Sequence, residues 1–215
     1  MLITKLSALQ RDVLRSFFAR EHRFFLSGGG ALVGFHLGHR ETEDLDLFVL
    51  QDVLAEGART LAHVAQELSA SLEIVTDSSD FKRFVIRRGM ETLKVDLVHE
   101  TATQQFKDKL EIDGIRVDPP LEILSNKLCT LLSRGEIRDL VDVFVLEQAG
   151  YRMEDALGAA MQKDRGLTPA QLAAILDEWT IGPEARLPGS VDPKRLDEYR
   201  HDLIARLTRL AFPIQ

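Results

Sequence analysis

The sequence predicts a chain of the α/β (α+β) class, with one lobe built on a mixed β-sheet followed by a helical C-terminal lobe. Three observations predict it. Short runs rich in β-branched and aromatic residues, punctuated by glycine turns, crowd the first part of the chain. Helical periodicity takes over after Asp118-Pro119-Pro120, a helix-start signal. The one clear loop, "TIGPEARLPGSVDP" at 180–193, holds three of the seven prolines and lies between helical stretches. The expected domains are therefore 1–118, α/β, and 119–215, helical.

The elements follow in order. Leu6, Leu9, Val13, Leu14, Phe17 and Phe18 recur at helical spacing over 5–21. "FFLS" (24–27) reads as a short buried strand. "GGALVGFHLG" (29–38) reads as a helix opened by glycines and closed by Gly38. "DLDLFVL" (44–50) alternates polar and apolar and then turns apolar, as a strand does, and 53–69 is helical again. "LEIVTD", "FKRFVIRRG" and "LKVDLVHE" are strand-like, with "RRGMET" as the turn between the last two. "LEIDGIRVD" adds a β segment turning at Asp113-Gly114. Helices are expected over 120–133, 136–148, 153–163, 168–178 and 193–211, the fourth capped by Thr168-Pro169.

Composition narrows the function classes. The 215 residues are 45% hydrophobic and carry a net charge of −7. Neutralising phosphates alone would call for a basic chain. Charge is uneven, however. Residues 1–40 hold Lys5, Arg11, Arg15, Arg20, Arg23 and Arg40 against Asp12 and Glu21, whereas 41–80 hold only Arg59 among many acids. A single cysteine, Cys129, excludes an internal disulfide framework and reads as a buried free thiol. No apolar run approaches the ~20 residues that span a bilayer, and the N-terminus reads as an amphipathic helix. No membrane association and a cytoplasmic location are expected.

The chemistry lies in "FFLSGGGALVGFHLGHRETEDLDLFVL" (24–50). Asp44 and Asp46, two apart on a strand, point to the same face. Two neighbouring carboxylates repel, and burying them unpaired costs several kcal/mol. A hard divalent cation such as Mg²⁺ resolves that cost, and a solvated strand end is the plain alternative. Upstream, a strand, a glycine-rich turn and a helix start offer backbone N–H groups to phosphate, with Ser27 able to add a hydroxyl. Asp96 in "LKVDLVHE" supplies a third strand carboxylate. Were its strand to neighbour that of Asp44 and Asp46, the three would suit two-metal phosphoryl or nucleotidyl transfer. There is no P-loop, dinucleotide fingerprint, H-E-x-x-H or G-x-S-x-G motif.

The combination resembles the polymerase-β-like nucleotidyltransferases, in which a strand, an h-G-[GS] turn, a helix and a D-x-D strand precede a later strand carboxylate. "SGGGALVGFHLGHRETEDLDLF" is similar in detail to the "GGTAL…R-x-[ST]-x-D-[IL]-D-[LF]" signature of the AbiEii-type (DUF1814) family, many of whose members are toxins of toxin–antitoxin or abortive-infection systems. Gly28, Gly29, Ala31, Leu32, Arg40, Thr42, Asp44, Asp46 and Phe48 fall on it, and Gly30 stands where the family often has Thr. A second element, "NKLCTLLSRGEIRDLVDVF", resembles the family's "K-L-x-A-L-x-x-R…[KR]-D-x-x-D" through Lys127, Leu128, Leu131, Arg134, Arg138, Asp139 and Asp142.

What the resemblance implies is specific. Residues 1–118 become a nucleotidyltransferase-like domain. Asp44, Asp46 and Asp96 are its implied catalytic and metal-binding carboxylates, for Mg²⁺ or Mn²⁺. Ser27, Gly28, Gly29, Gly30, Arg40, Thr42, Lys127 and Asp139 are implied at the nucleotide, with Lys127 also catalytic by reaching its phosphates. Asp139 and Asp142, one helical turn apart, either shape the nucleotide pocket or pair with Arg134 and Arg138. The implied activity is transfer of a nucleoside monophosphate from an NTP to an acceptor hydroxyl. A tRNA is the implied acceptor, and a cognate antitoxin the implied partner. A small-molecule, antibiotic-modifying nucleotidyltransferase and an inactive binding module are the alternatives.

Overall fold

The computed structural model describes residues 5–213. The chain divides into two compact units, Met1–Pro119 and Pro120–Gln215.

The first unit opens with helix α1 (Ala8–Phe18), shorter than the periodicity suggested because Ser7 caps it. The Ser7 hydroxyl accepts from the Gln10 backbone N–H while the Gln10 side chain accepts from the Ser7 N–H, a reciprocal capping box. Strand β1 (Phe25–Ser27) runs into helix α2 (Gly28–Ala31), which widens into a π-helical turn over Leu32–His36. Then come β2 (Asp44–Val49), α3 (Leu54–Glu67), β3 (Ser71–Asp77), β4 (Phe81–Arg88), β5 (Glu91–His99), β6 (Leu110–Ile112) and β7 (Ile115–Val117).

The strands form one seven-stranded mixed sheet in the order β3-β4-β5-β2-β1-β7-β6. β2 runs parallel to β5 and antiparallel to β1, and β4 and β5 form a hairpin. Alternation sorts the side chains by face. Leu45, Leu47, Val49, Phe84, Ile86, Leu93, Val95 and Leu97 are buried on one face. Helix α3 packs there, close enough that a Cβ on Gly57 would lie 3.2 Å from Leu97. The opposite face of the central strands carries Asp44 and Asp46 together with the stacked rings of Phe25 and Phe48.

The second unit is helical: α4 (Pro120–Ser133), α5 (Ile137–Gln148), α6 (Met153–Lys163), α7 (Pro169–Asp177) and α8 (Pro193–Ala211). The loop expected at 180–193 holds one 3₁₀ turn, Pro188–Ser190. Thr168 caps α7 and Asp192 caps α8, each followed by a proline. Arg206 on α8 grips Glu147 of α5 and Glu154 of α6 with hydrogen bonds of 2.7–2.9 Å, and the Tyr199 hydroxyl donates to Glu147 at 2.7 Å. Cys129 departs from expectation. It is half-buried, and its thiol donates to the Ala160 carbonyl across α4 and α6. Among the described residues no helix is long and apolar enough to cross a membrane.

Candidate functional site

The site grows from strand register. Asp46 on β2 pairs laterally with Ser27 on β1 and with Asp96 on β5, and Asp96 pairs in turn with Arg83 on β4. Lateral partners share a face, so Ser27, Asp46, Asp96 and Arg83 form a row across four strands. Asp44, two residues before Asp46, stands on the same face. The acidic strand thus keeps its leucines in the core and turns its aspartates away from it, half-exposed.

The glycine turn lies against this row. Gly28 has φ +60°, in the left-handed region that favours glycine. A Cβ there would also sit 2.5 Å from an Asp46 carboxylate oxygen. The backbone therefore passes the acid more closely than any side chain permits. At Gly29 a Cβ would come within 2.7 Å of the Arg40 guanidinium and 3.4 Å of the Thr42 hydroxyl. Gly30 faces the core instead, where a Cβ would meet Leu45 and Leu26 at 3.2–3.3 Å. That tight fit accounts for glycine at the position where the sequence departs from the family signature.

The segment between turn and strand is pinned. Thr42 donates from its hydroxyl to Asp44 Oδ1 at 2.7 Å, and the buried Gln10 of α1 donates to the Thr42 carbonyl at 2.8 Å. Arg40 is buried and donates to the Glu41 carbonyl at 2.8 Å. The Ser27 hydroxyl is 1% exposed and has no hydrogen-bond partner among the described residues. In native structures a buried hydroxyl is rarely left without a partner.

Asp96 has its own partner. Arg83 Nε and Nη2 donate to Asp96 Oδ1 and Oδ2 at 2.9 and 2.7 Å, a bidentate fork. The bond to Asp96 holds the Arg83 guanidinium above its ordinary pKa, and the charges of Asp46 and Asp44 add to it. Arg83 is not among the residues expected from the sequence, although the turn "RRGMET" (87–92) sets the hairpin register that locates it. Arg88 pairs with Glu91 across Gly89-Met90, and counting back down the hairpin places Arg83 opposite Asp96.

Among the described residues no three His, Cys, Asp or Glu side chains close on a metal-sized volume. The donors still suit Mg²⁺. That ion is commonly held by one or two carboxylates, with substrate phosphates and water completing its octahedron. Asp44 and Asp46 supply two carboxylates on one face, with the Gly28 backbone close against Asp46 and Ser27 beside it in the row.

Lys127, Asp139 and Asp142 come together within the helical unit. Lys127 Nζ lies 2.7 Å from Asp139 Oδ1 and 2.7 Å from Asp142 Oδ2, with all three side chains buried. Arg134 adds hydrogen bonds of 2.9 Å to both oxygens of Asp139. Burial pushes the Asp139 carboxyl up, but Arg134 and Lys127 outweigh it and hold the group below its usual range. Of the two sequence readings for these aspartates, the geometry matches pairing within the unit, with one correction: Arg138 turns to Glu136 rather than joining the network.

Comparison with known proteins gives the same direction. The family model described as "Nucleotidyl transferase AbiEii toxin, Type IV TA system" matches residues 11–207, most of both units. The structure is similar to that of JHP933 from Helicobacter pylori, with a TM-score of 0.60 and 21% identity over 95% of this chain and 94% of that one. It is also similar to a chain from H. pylori described as a candidate nucleotidyltransferase, with a TM-score of 0.60 and 20% identity over 95% of this chain and 99% of that one. At such identities the likeness is one of fold. No curated protein matches the sequence at a significant level.

Proposed function

The chain belongs to the AbiEii nucleotidyl transferase toxin family and is a nucleotidyltransferase; from that premise we propose that it transfers a nucleoside monophosphate from an NTP, with a divalent cation, to the 3′-terminal hydroxyl of a tRNA. In this reading it acts in the cytoplasm as the toxin of a toxin–antitoxin pair. The observation that carries the reading is the row Ser27, Asp46, Asp96 with Asp44 beside it, closed on one side by the Gly28 backbone.

Asp44 and Asp46 would hold Mg²⁺ or Mn²⁺, and Asp96 stands beside Asp46 in the row rather than closing, among the described residues, a three-carboxylate cluster. Ser27, Gly28, Gly29, Arg40 and Thr42 would form the side that receives the triphosphate, with Gly30 set behind them against the core. The cation, when bound, neutralises charge on the triphosphate as it reacts. The acceptor oxygen bonds to the α-phosphorus, the bond from that phosphorus to the bridging oxygen of the β-phosphate breaks, and pyrophosphate leaves with the electron pair. The hydroxyl proton passes to a carboxylate of the row. Thr42 orients Asp44 and Gln10 orients Thr42, so the first ligand is positioned before substrate arrives.

Lys127 and Asp139 enter this reading as a buried brace of the helical unit. Two cations, Lys127 and Arg134, face two anions, Asp139 and Asp142, which leaves little net charge to attract phosphate. The tRNA acceptor rests on the family resemblance rather than on a basic surface, since 34 acidic residues outnumber 27 basic ones.

Each labelled NTP in turn, with Mg²⁺ and total RNA, tests the reading. Label is expected in the tRNA fraction from one NTP, and none with Asp44→Asn. A folded protein that transfers no label from any NTP overturns it. Label appearing only in an added aminoglycoside would replace the tRNA with a small-molecule acceptor.

A further inference from the structure

Arg83 has no place in the chemistry just described, yet its guanidinium is fixed on one of the three strand carboxylates. Its fork takes both oxygens of Asp96, and Asp96 is the lateral neighbour of Asp46. The partners differ in exposure: the Arg83 side chain is 43% exposed and that of Asp96 only 8%. The guanidinium therefore reaches in from water to a fixed acid. It rests over the Phe81 ring, 5.3 Å from the centroid, two residues back on the same face of β4. A flexible stem on an aromatic shelf can leave into solvent; a carboxylate at the centre of a sheet cannot.

We propose that Arg83 is a positioning residue that acts as a resident counter-cation for the carboxylate row, holding Asp96 in place and opposing the entry of a free divalent ion. The inference rests on the metal-dependent reading above. The guanidinium reaches from β4 to Asp96, which is one strand spacing, about 5 Å, from Asp46, so a +2 ion on Asp44 and Asp46 would stand on the order of 6 Å from its +1. Even with the screening of bulk water, that repulsion weakens binding on the order of tenfold. The anionic triphosphate cancels the repulsion. Metal is therefore expected to enter with the nucleotide, and the free enzyme to stay largely unloaded.

The test is a Mn²⁺ titration followed by electron paramagnetic resonance, with and without a non-hydrolysable NTP, on the wild type, Arg83→Gln, Arg83→Met and Arg83→Lys. Without nucleotide, Arg83→Gln and Arg83→Met are expected to bind Mn²⁺ about tenfold or more tightly than the wild type, and Arg83→Lys to resemble the wild type. Added NTP should narrow the gap. Thermal melting confirms the fold, and the methionine variant keeps the apolar stem over Phe81. A purely structural role lowers melting temperature without tightening Mn²⁺. Equal or weaker Mn²⁺ binding by the charge-removing variants overturns the role of Arg83 and leaves the metal reading standing. Failure of every protein to bind Mn²⁺, with or without NTP, overturns both.

Discussion

The ammonium of Lys127 and a carboxylate oxygen of Asp139 lie 2.7 Å apart, with both side chains buried. This places a charge pair where water cannot compensate for the loss of either partner. Lys127→Ala would remove the buried ammonium that Asp139 and Asp142 share, with the Arg134 fork remaining on Asp139. We expect a loss of ~3–5 kcal/mol in the stability of the helical unit, measured by urea denaturation. A variant with unchanged stability and weakened NTP binding would return Lys127 to the phosphate role that its motif suggested.

Asp44 and Asp46 carry a different expectation, because their face is not core. Asp44→Asn and Asp46→Asn should fold normally and lose transfer by at least ~10³-fold, the scale on which charge at a reacting phosphate acts. Radiolabel transfer and circular dichroism on the same preparations check this. Thr42→Val should cost less, on the order of tenfold, because it removes only the hydrogen bond that orients Asp44.

Gly28 tests the close approach of backbone to acid. An alanine there is strained by the positive φ and would collide with Asp46 at 2.5 Å. Gly28→Ala is expected to destabilise the first unit by ~1–3 kcal/mol and to abolish transfer. Gly30→Ala meets leucine termini at 3.2–3.3 Å, which can yield, and the Asp44 carbonyl at an ordinary 3.5 Å. It should keep most of its activity, as a paired transfer assay would show.

The clamp at Arg206 gives a pH dependence. Hydrogen bonding to Arg206 pulls Glu154 down to about 2. Burial pushes Glu147 up, but bonds from Arg206, the Met153 backbone and Tyr199 outweigh it and leave it lowered. Groups depressed on folding contribute stability that is fully present above their unfolded pKa, near 4.5, and lost as pH falls through the folded value. Melting temperature should therefore fall from about pH 4.5 toward pH 2, and Arg206→Met should flatten that fall. An equally steep acid limb in the variant would rule the clamp out as its source.

Much of this protein was legible in its sequence because the signals are local. Thr168-Pro169 and Pro119-Pro120 mark helix starts whatever surrounds them, and alternation in "DLDLFV" puts both aspartates on one face of any strand it forms. The spacing of the glycine turn and the D-x-D strand pointed to the family on the same local grounds. What only the tertiary structure decided are the partners. Local pattern does not say that β5 lies beside β2, so the juxtaposition of Asp96 and Asp46 waited for the sheet order. Nor does it say which cation a buried acid will choose. Arg83 forks onto Asp96 because hairpin register sets them opposite, and Lys127 meets Asp139 and Asp142 because α4 and α5 pack with those faces together. Charge pairing acts over a few ångströms between residues far apart in sequence, and only the packed fold brings them within that range.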